Sequence, residues 1–438
     1  MRKKIILIFF ILAVSVFSED KRIGLVLSGG TAKGLAHIGV LKVLEEEKVP
    51  IEYVTGTSMG SIVGGLYAVG YTPEEIEKIA IEMDWMEVFT DTVPRSDKGA
   101  VRNYIEDKNT IALPIDKFSL SLPNGAIGGK NISTKLGDLF YGVEGVTDFK
   151  DFPQKFALVA TDLETGRGVM IDSGSLTTAI RASMSIPTVI SPVRYEGKLL
   201  VDGGIIRNLP VQDAKVLGAD YTIGVNVGEG FGKLDENKLS FIDITTNVLT
   251  LAGKEEVERQ KRMLDLYIEP EMSNIQSIDF LKVKEIIDLG EAEARKHIDE
   301  IRKLSDPKKF AEIQEKRKEF RLTWKNTYKV DKINVEGNKK YKDEYFYKYI
   351  PKNLTSMSKE DIDKIVQSIY SSGDFLTVYY EIKDDELTLV VQEKASSYLT
   401  LGGNVNKEDL ATVTIGYQGN NVINNKNLRY SLTGIINQ

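Results

Sequence analysis

The chain has 438 residues, of which 42% are apolar and 28% charged, and a formal net charge of −7. This composition is typical of globular proteins and the length exceeds one ordinary domain, so we expect two or more folded units. The negative charge argues against nucleic acid as a partner. The sequence contains no cysteine, which excludes disulfides and thiolate metal sites.

The first eighteen residues are typical of a secretory signal peptide. Arg2, Lys3 and Lys4 precede an apolar run over residues 5–17, and Ser18 is a small residue suited to the cut. The run is too short to span a bilayer as a helix. We expect residues 1–18 to be removed on export through the inner membrane.

A predicted strand then leads into a glycine-rich turn, residues 28–34, and into a helix from about Leu35. Backbone N–H groups at such a helix start suit an anion or a developing oxyanion. A nucleotide loop is the alternative, but Lys33 precedes Gly34 where a P-loop needs the reverse, and Thr31 replaces the second glycine of the dinucleotide pattern. The turn therefore predicts an oxyanion loop.

Ser58 lies at the centre of a G-x-S-x-G pentapeptide, between a β-branched run and a small-residue segment typical of a helix. A serine between a strand and a helix forms a nucleophile elbow, a strained turn in which the flanking glycines leave room for the backbone. Ser58 is therefore a candidate nucleophile of a serine hydrolase.

A catalytic serine needs a general base, and the sequence contains two histidines, His37 and His297. His297 lies in a charged stretch typical of a solvated helix face. His37 lies on a helix whose apolar spacing predicts a packed side chain. We therefore expect the base to be a carboxylate.

Asp202 is the candidate carboxylate, because it follows an apolar strand pattern and precedes two glycines that let the chain turn away. A simple Asp-Gly-Gly turn is the alternative interpretation. Asp162 and Asp172 also flank apolar strands, and spacing alone does not exclude them.

These three stretches, in this order, resemble the patatin-like phospholipase family over roughly residues 22–310. Residues 156–162, 179–187 and 208–210 carry further likeness. The resemblance implies an α/β protein with a three-layer α/β/α hydrolase domain and a Ser58–Asp202 dyad. It also implies an acyl-enzyme intermediate, phospholipid or lysophospholipid substrates at a membrane surface, no cofactor and no metal.

The resemblance also assigns supporting residues. It implies an oxyanion hole formed by Gly29, Gly30, Thr31, Lys33 and Gly34, with motif support from Gly56, Gly60, Gly203 and Gly204. Two positions depart from the family pattern: Thr31 replaces a glycine, and Lys33 replaces an arginine and loses its bidentate fork.

The composition changes after residue 320. The pattern predicts a strand over 328–338, helices over 339–349 and 359–371, and a hairpin of 376–382 with 387–391 across Asp384 and Asp385. This order resembles a POTRA domain, with the likeness carried by residues 335–338 and 372–375. A generic small α+β domain is the alternative.

The last segment alternates polar and apolar residues over 398–405, 412–417 and 428–434, separated by Asn-rich turns. This pattern suits the first strands of a transmembrane β-barrel, continued beyond the sequence given; a hairpin of a soluble domain is the alternative.

The expected organisation is a signal peptide (1–18), a patatin-like domain (19–310), a connecting helix (311–326), a POTRA-like domain (327–395) and an incomplete barrel (396–438). This order resembles a type V autotransporter, subclass d, of a Gram-negative bacterium. It implies attachment to the outer membrane through the barrel and a surface-exposed or secreted passenger.

Two other classes of function stay open. One is a general carboxylesterase or thioesterase on the same scaffold. The other is an outer-membrane assembly or translocation protein with an inactive passenger, against which the intact Ser58 and Asp202 argue. The sequence does not decide between a monomer and a homodimer.

Overall fold

The structure is a computed structural model that describes residues 21–91, 111–116, 119–120, 125–228, 241–351, 356–404, 412–423 and 426–437. The predicted signal peptide lies outside the described residues. Within the described part of the chain, no helix has the length and apolar character needed to cross a membrane.

The strands are β1 (Ile23–Leu27), β2 (Ile51–Thr57), β3 (Ile111–Asp116), β4 (Ser119–Leu120), β5 (Gly125–Ile127), β6 (Lys155–Asp162), β7 (Arg167–Ile171), β8 (Thr188–Ile190), β9 (Val193–Tyr195), β10 (Lys198–Asp202), β11 (Tyr221–Val225), β12 (Leu266–Ile268), β13 (Thr327–Lys329), β14 (Lys332–Glu336), β15 (Ser356–Ser358), β16 (Phe375–Lys383), β17 (Glu386–Glu393), β18 (Ser397–Asn404), β19 (Thr412–Ile423) and β20 (Lys426–Asn437).

The α-helices are α1 (Ala36–Glu46), α2 (Met59–Ala68), α3 (Pro73–Glu82), α4 (Trp85–Val88), α5 (Lys130–Phe140), α6 (Leu176–Ser183), α7 (Val211–Leu217), α8 (Phe241–Lys261), α9 (Val283–Lys296), α10 (Ile298–Arg302), α11 (Pro307–Arg321) and α12 (Lys359–Ser371).

The first unit is built on an eight-stranded sheet in the order β12-β11-β1-β2-β6-β10-β9, with β7 also paired to β6. Strands β12, β11, β1, β2 and β6 are parallel, whereas β10, β9 and β7 run antiparallel to their neighbours. Every residue of β1 is buried. Continuous apolar strands of this kind are typical of a parallel sheet that is covered on both faces.

Both faces of this sheet carry a core. Leu25 and Leu27 of β1 belong to one hydrophobic cluster, whereas Val26 between them belongs to a second, which it shares with Val211 and Ala214 of α7. Successive side chains of a strand point to opposite faces, so the two clusters are separate layers. The predicted three-layer α/β/α architecture is confirmed.

The predicted connecting helix, residues 311–326, needs correction. The helix is α11, which begins at Pro307 and packs on the first unit. The Arg317 side chain is buried, pairs with Glu45 and lies over the Tyr67 ring, 4.6 Å from its centre. Because its inner face is used in this packing, α11 is part of the first unit and not a free connector.

The small unit that follows contains a sheet in the order β14-β17-β16, with β14 parallel and β16 antiparallel to β17. Its predicted hairpin is confirmed, since Asp384 and Asp385 form the turn with φ of 49° and 61°. The predicted helix over residues 359–371 is α12, which starts with a capping box between Ser358 and Asp361.

The predicted helix over residues 339–349 is wrong. This segment contains only a short 3-10 turn, Asp343–Tyr345. The Glu393 carboxylate accepts hydrogen bonds from the amides of Lys339, Lys340 and Tyr341, at 2.7 to 3.1 Å. These amides are therefore held in a turn by a side chain from β17.

The C-terminal strands form a sheet in the order β20-β19-β18-β3-β4. The pairing of β18 with β3, a segment from within the first unit, is not predicted by the sequence. Along β19, Val413, Ile415 and Tyr417 are exposed, whereas Thr414 and Gly416 between them are buried. The apolar side chains of this strand therefore face outward.

Candidate active site

Ser58 occupies a strained turn between β2 and α2. Its backbone has φ of 52° and ψ of −122°, a combination that non-glycine residues rarely adopt. The turn is tight: a Cβ at Gly60 would stand 2.4 Å from the Leu27 carbonyl oxygen, and one at Gly56 would stand 2.3 Å from that of Gly60. Only glycine fits these two positions, so the elbow geometry follows from the pentapeptide.

Asp202 approaches Ser58 from the other side of strand β6. Thr57, directly before Ser58, pairs with Val159 of β6, and Asp202 at the end of β10 pairs with the next residue, Ala160. A Cβ at Gly203 would stand 2.2 Å from the Val159 carbonyl oxygen, so the chain turns at Asp202 against this strand. The strand register thus brings together two side chains that are 144 positions apart in the sequence.

The Asp202 carboxylate is buried and hydrogen bonded. Burial raises its pKa to about 6, while the hydrogen bond from the Gly204 amide and the nearby Ser58 hydroxyl act in the opposite direction. The Gly204 amide lies 2.7 Å from Oδ1. A carboxylate with a raised pKa is a stronger base toward the serine hydroxyl than an exposed one.

The glycine-rich loop lies beside Ser58, where a Cβ at Gly29 would stand 3.0 Å from the Ser58 Cβ. The Gly29 amide donates to the side-chain and backbone oxygens of Asn208, at 3.1 and 3.3 Å. The Lys33 amide donates to the Gly30 carbonyl at 3.0 Å. The oxyanion donors therefore cannot include these two amides unless their hydrogen bonds break.

The amides of Gly30 and Thr31 are the remaining donors at the tip of the loop. Neither donates a hydrogen bond to another group in the described part of the chain. Thr31 has φ of 48°, so the threonine adopts the conformation that a glycine would take more easily. Gly34, which the sequence also assigns to the oxyanion hole, packs against Met59. A Cβ added at Gly34 would stand 2.5 Å from the Met59 side chain.

The other candidate bases have different partners. The His37 ring is buried beneath the loop, where Nε2 lies 2.8 Å from the Ser28 carbonyl oxygen, and burial lowers its pKa to about 4. Asp162 accepts hydrogen bonds from the Thr165 hydroxyl and the Glu164 amide.

Asp172 and His297 are similarly engaged. Asp172 pairs with Lys150 at 2.6 Å. His297 follows the last turn of α9, 3.7 Å from Glu293. Of the five candidates, Asp202 is the one whose pKa the Ser58 side chain lowers. Among the residues that the structure describes, no group of three or more His, Asp or Glu side chains could hold a metal ion.

Two residues of the site carry no role in the sequence interpretation. Asn208 clamps Gly29, since its amide group also donates to the Gly29 carbonyl at 3.1 Å. Ser183, at the end of α6, accepts a hydrogen bond from the Ser58 amide at 2.9 Å. Both lie in segments that carry the family likeness, and that likeness is the only sequence signal that points to them.

Several known proteins are similar to this chain. Residues 25–215 match the family model of patatin-like phospholipases. The chain is 28% identical over 297 residues to lysophospholipase NTE1 of Scheffersomyces stipitis, covering 62% of this chain and 18% of the relative. It is 29% identical over 325 residues to lysophospholipase nte1 of Aspergillus niger, covering 68% and 19%.

The chain thus spans about a fifth of the length of the curated relatives it matches. Among solved structures, VipD from Legionella pneumophila aligns with a TM-score of 0.38 and 16% identity, over 64% of this chain and 67% of VipD. The type III effector protein ExoU aligns with a TM-score of 0.31 and 14% identity, over 64% of this chain and 54% of ExoU.

Proposed function

We propose that the protein is a lipid acyl hydrolase, a phospholipase A or lysophospholipase, in which Ser58 is the nucleophile and Asp202 the base. One observation carries this proposal: Ser58, on a strained elbow, lies near the buried Asp202 carboxylate and lowers its pKa, within a region that matches patatin-like phospholipases. The lipid substrate class is supported by the names of the curated relatives, which are lysophospholipases.

The reaction proceeds in two acyl transfers. Asp202 takes the proton of the Ser58 hydroxyl as Oγ bonds to the ester carbonyl carbon, and the amides of Gly30 and Thr31 bind the oxyanion. The tetrahedral intermediate expels the alcohol, which receives the proton from Asp202, and leaves Ser58 acylated. Water then attacks the acyl carbon, returns a proton through Asp202 to Ser58, and releases the fatty acid.

The test is hydrolysis of a phospholipid that carries two different acyl chains, with products identified by mass spectrometry. Wild type should release fatty acid, whereas Ser58→Ala and Asp202→Asn should lose activity, by about 10⁴-fold or more for the nucleophile. Matched controls are Ser273→Ala, an exposed serine, and Asp162→Asn, whose carboxylate caps a turn. Both should keep wild-type activity.

Each departure from this pattern has a distinct meaning. Full activity in Ser58→Ala overturns the nucleophile, and full activity in Asp202→Asn moves the base to Asp162, Asp172 or His37. Turnover of short p-nitrophenyl esters or thioesters without turnover of phospholipid vesicles identifies a carboxylesterase or thioesterase. An inert wild type, correctly folded, favours an inactive passenger.

We also propose that the protein is exported and held in the outer membrane of a Gram-negative bacterium. The resemblance of its C-terminal segments to a POTRA domain and to barrel strands is the reason for this proposal. The basic and apolar start of the sequence supports export. The outward-facing Val413, Ile415 and Tyr417 of β19 support contact with lipid, because a barrel strand alternates apolar residues outside with polar ones inside.

The location is tested in a Gram-negative host. The protein should fractionate with the outer membrane, and protease added to intact cells should cleave the passenger. Recovery in the cytoplasm with residues 1–18 still attached would contradict the proposal. Sedimentation of the purified protein distinguishes a monomer from a homodimer.

A further inference from the structure

We infer that Ser183 is a positioning residue for Ser58, and that the segment 183–185 holds the nucleophile and the base at their working separation. The inference rests on the proposed function. The Ser183 hydroxyl accepts a hydrogen bond from the Ser58 amide at 2.9 Å and donates one to the Val159 carbonyl at 2.6 Å. The Ser183 side chain has no exposed surface.

The position of this hydroxyl explains why it is needed. Thr57 pairs with Val159 in the ladder between β2 and β6, and the ladder ends where Ser58 takes its strained conformation. Beyond this point the Ser58 amide and the Val159 carbonyl are both buried and need other partners. A hydroxyl is both donor and acceptor, so Ser183 satisfies both groups and bridges the two strands.

The same segment also holds Asp202. The Asp202 amide donates a hydrogen bond at 2.9 Å to the carbonyl of Ser185, which lies two residues after Ser183. The buried Arg181 side chain fixes this segment, since it donates to the Ser185 hydroxyl at 2.5 Å and to the Gly128 carbonyl at 2.8 Å. One short stretch of chain therefore contacts the backbone of both members of the dyad.

Loss of the Ser183 hydroxyl has a consequence that a purely structural serine would not have. Without its partner the Ser58 amide is free to turn, and the Ser58 hydroxyl moves away from the Asp202 carboxylate. The nearby Ser58 hydroxyl lowers the pKa of Asp202, so its withdrawal moves the pKa upward. The acid limb of the pH–rate profile then shifts to higher pH.

The experiment compares Ser183→Ala with Ser191→Ala, a matched control. Ser191 is equally buried, and its hydroxyl donates to one backbone carbonyl, that of Ile127 at 3.2 Å. For Ser183→Ala we expect kcat to fall about 100-fold with KM little changed, slower labelling by a fluorophosphonate probe, and an acid limb at higher pH. Ser191→Ala should keep the wild-type kcat and acid limb.

A folded Ser183→Ala with wild-type kcat and acid limb overturns the inference, as does a lower kcat whose acid limb does not move. If Ser183→Ala does not fold, Ser183→Cys replaces it, because the thiol nearly conserves volume and hydrogen bonds weakly. The same shift, in smaller degree, is then expected, and an unshifted limb overturns the inference. Failure of the proposed function is distinct: wild type would then be as inactive and unlabelled as Ser58→Ala.

Discussion

As the proposed general base, Asp202 should set how the activity depends on pH. Burial raises its pKa to about 6, and a general base acts only when it is ionised. We therefore expect kcat/KM to fall as the pH drops below about 6 and to level off above about 7. The measurement is a pH–rate profile on a water-soluble ester, which avoids changes in the lipid surface.

The control for this profile is Asp162→Asn, which should keep the same acid limb. Asp162 lies on the same strand β6, but its carboxylate is engaged in a local turn. An acid limb near pH 4, the range of an ordinary carboxylate, would contradict the raised pKa of the base.

The residues of the site differ in how far the sequence alone reveals them. Ser58 sits in a pentapeptide whose glycines are explained by contacts within that turn and with the adjacent strand. Ser183 and Asn208 act through hydrogen bonds to residues 125 and 179 positions away. No local pattern encodes such contacts, so their roles become visible only in the assembled fold.

At the scale of elements, local signals explain the successful predictions. Helix α12 carries its own capping box and apolar periodicity, and the hairpin β16–β17 has a two-residue turn with suitable residues. The segment over residues 339–349 has a helical pattern too, but Glu393, more than fifty residues away, binds its first amides. A tertiary hydrogen bond therefore overrides the local preference.

Glu144, directly after the 3-10 turn Tyr141–Val143, should make stability depend on pH. Burial raises its pKa to about 7, although the hydroxyls of Thr177 and Ser175 hydrogen bond it at 2.7 and 2.8 Å. Its pKa in the unfolded chain is lower, so the folded state holds a proton that the unfolded state releases between about pH 4.5 and 7. The contribution of Glu144 to the free energy of unfolding is therefore highest below pH 4.5 and falls as the pH rises to about 7.

The change to test is Glu144→Gln, which removes the titration. Over this window the wild type should lose up to about 3 kcal/mol of unfolding free energy through this group, and the variant should not. Denaturant unfolding at pH 5 and pH 8 measures the difference. Glu344→Gln, an exposed position, is the control and should follow the wild type. Parallel pH curves for wild type and Glu144→Gln would contradict the assignment.

At the scale of the whole molecule, the sequence predicts the order of the units but not how they meet. The pairing of β18 with β3 joins residues more than 280 positions apart, and such pairing depends on which strand edges are left open after folding. The contact between the first unit and the small unit is equally nonlocal. It includes Tyr141, which contributes to the core of the small unit.

The last prediction concerns this contact. The Tyr328 ring packs edge-on against Tyr141 at 5.2 Å, and its hydroxyl accepts a hydrogen bond from the Gly145 amide at 3.1 Å. The Tyr141 hydroxyl donates to the Met357 carbonyl at 2.7 Å. Because Tyr328 is buried, Tyr328→Ala should cost about 3–5 kcal/mol, enough to loosen the docked small unit.

Limited trypsin digestion of the full chain measures this loosening at Lys325, whose amide donates to the Gly142 carbonyl at 3.0 Å when the units are docked. Cleavage after Lys325 should be faster in Tyr328→Ala than in wild type, because a protease needs the local chain to open. Tyr347→Ala is the control, since that side chain is 63% exposed in the same unit. Equal cleavage rates in all three proteins would mean that the units are held together by contacts other than the Tyr141–Tyr328 pair.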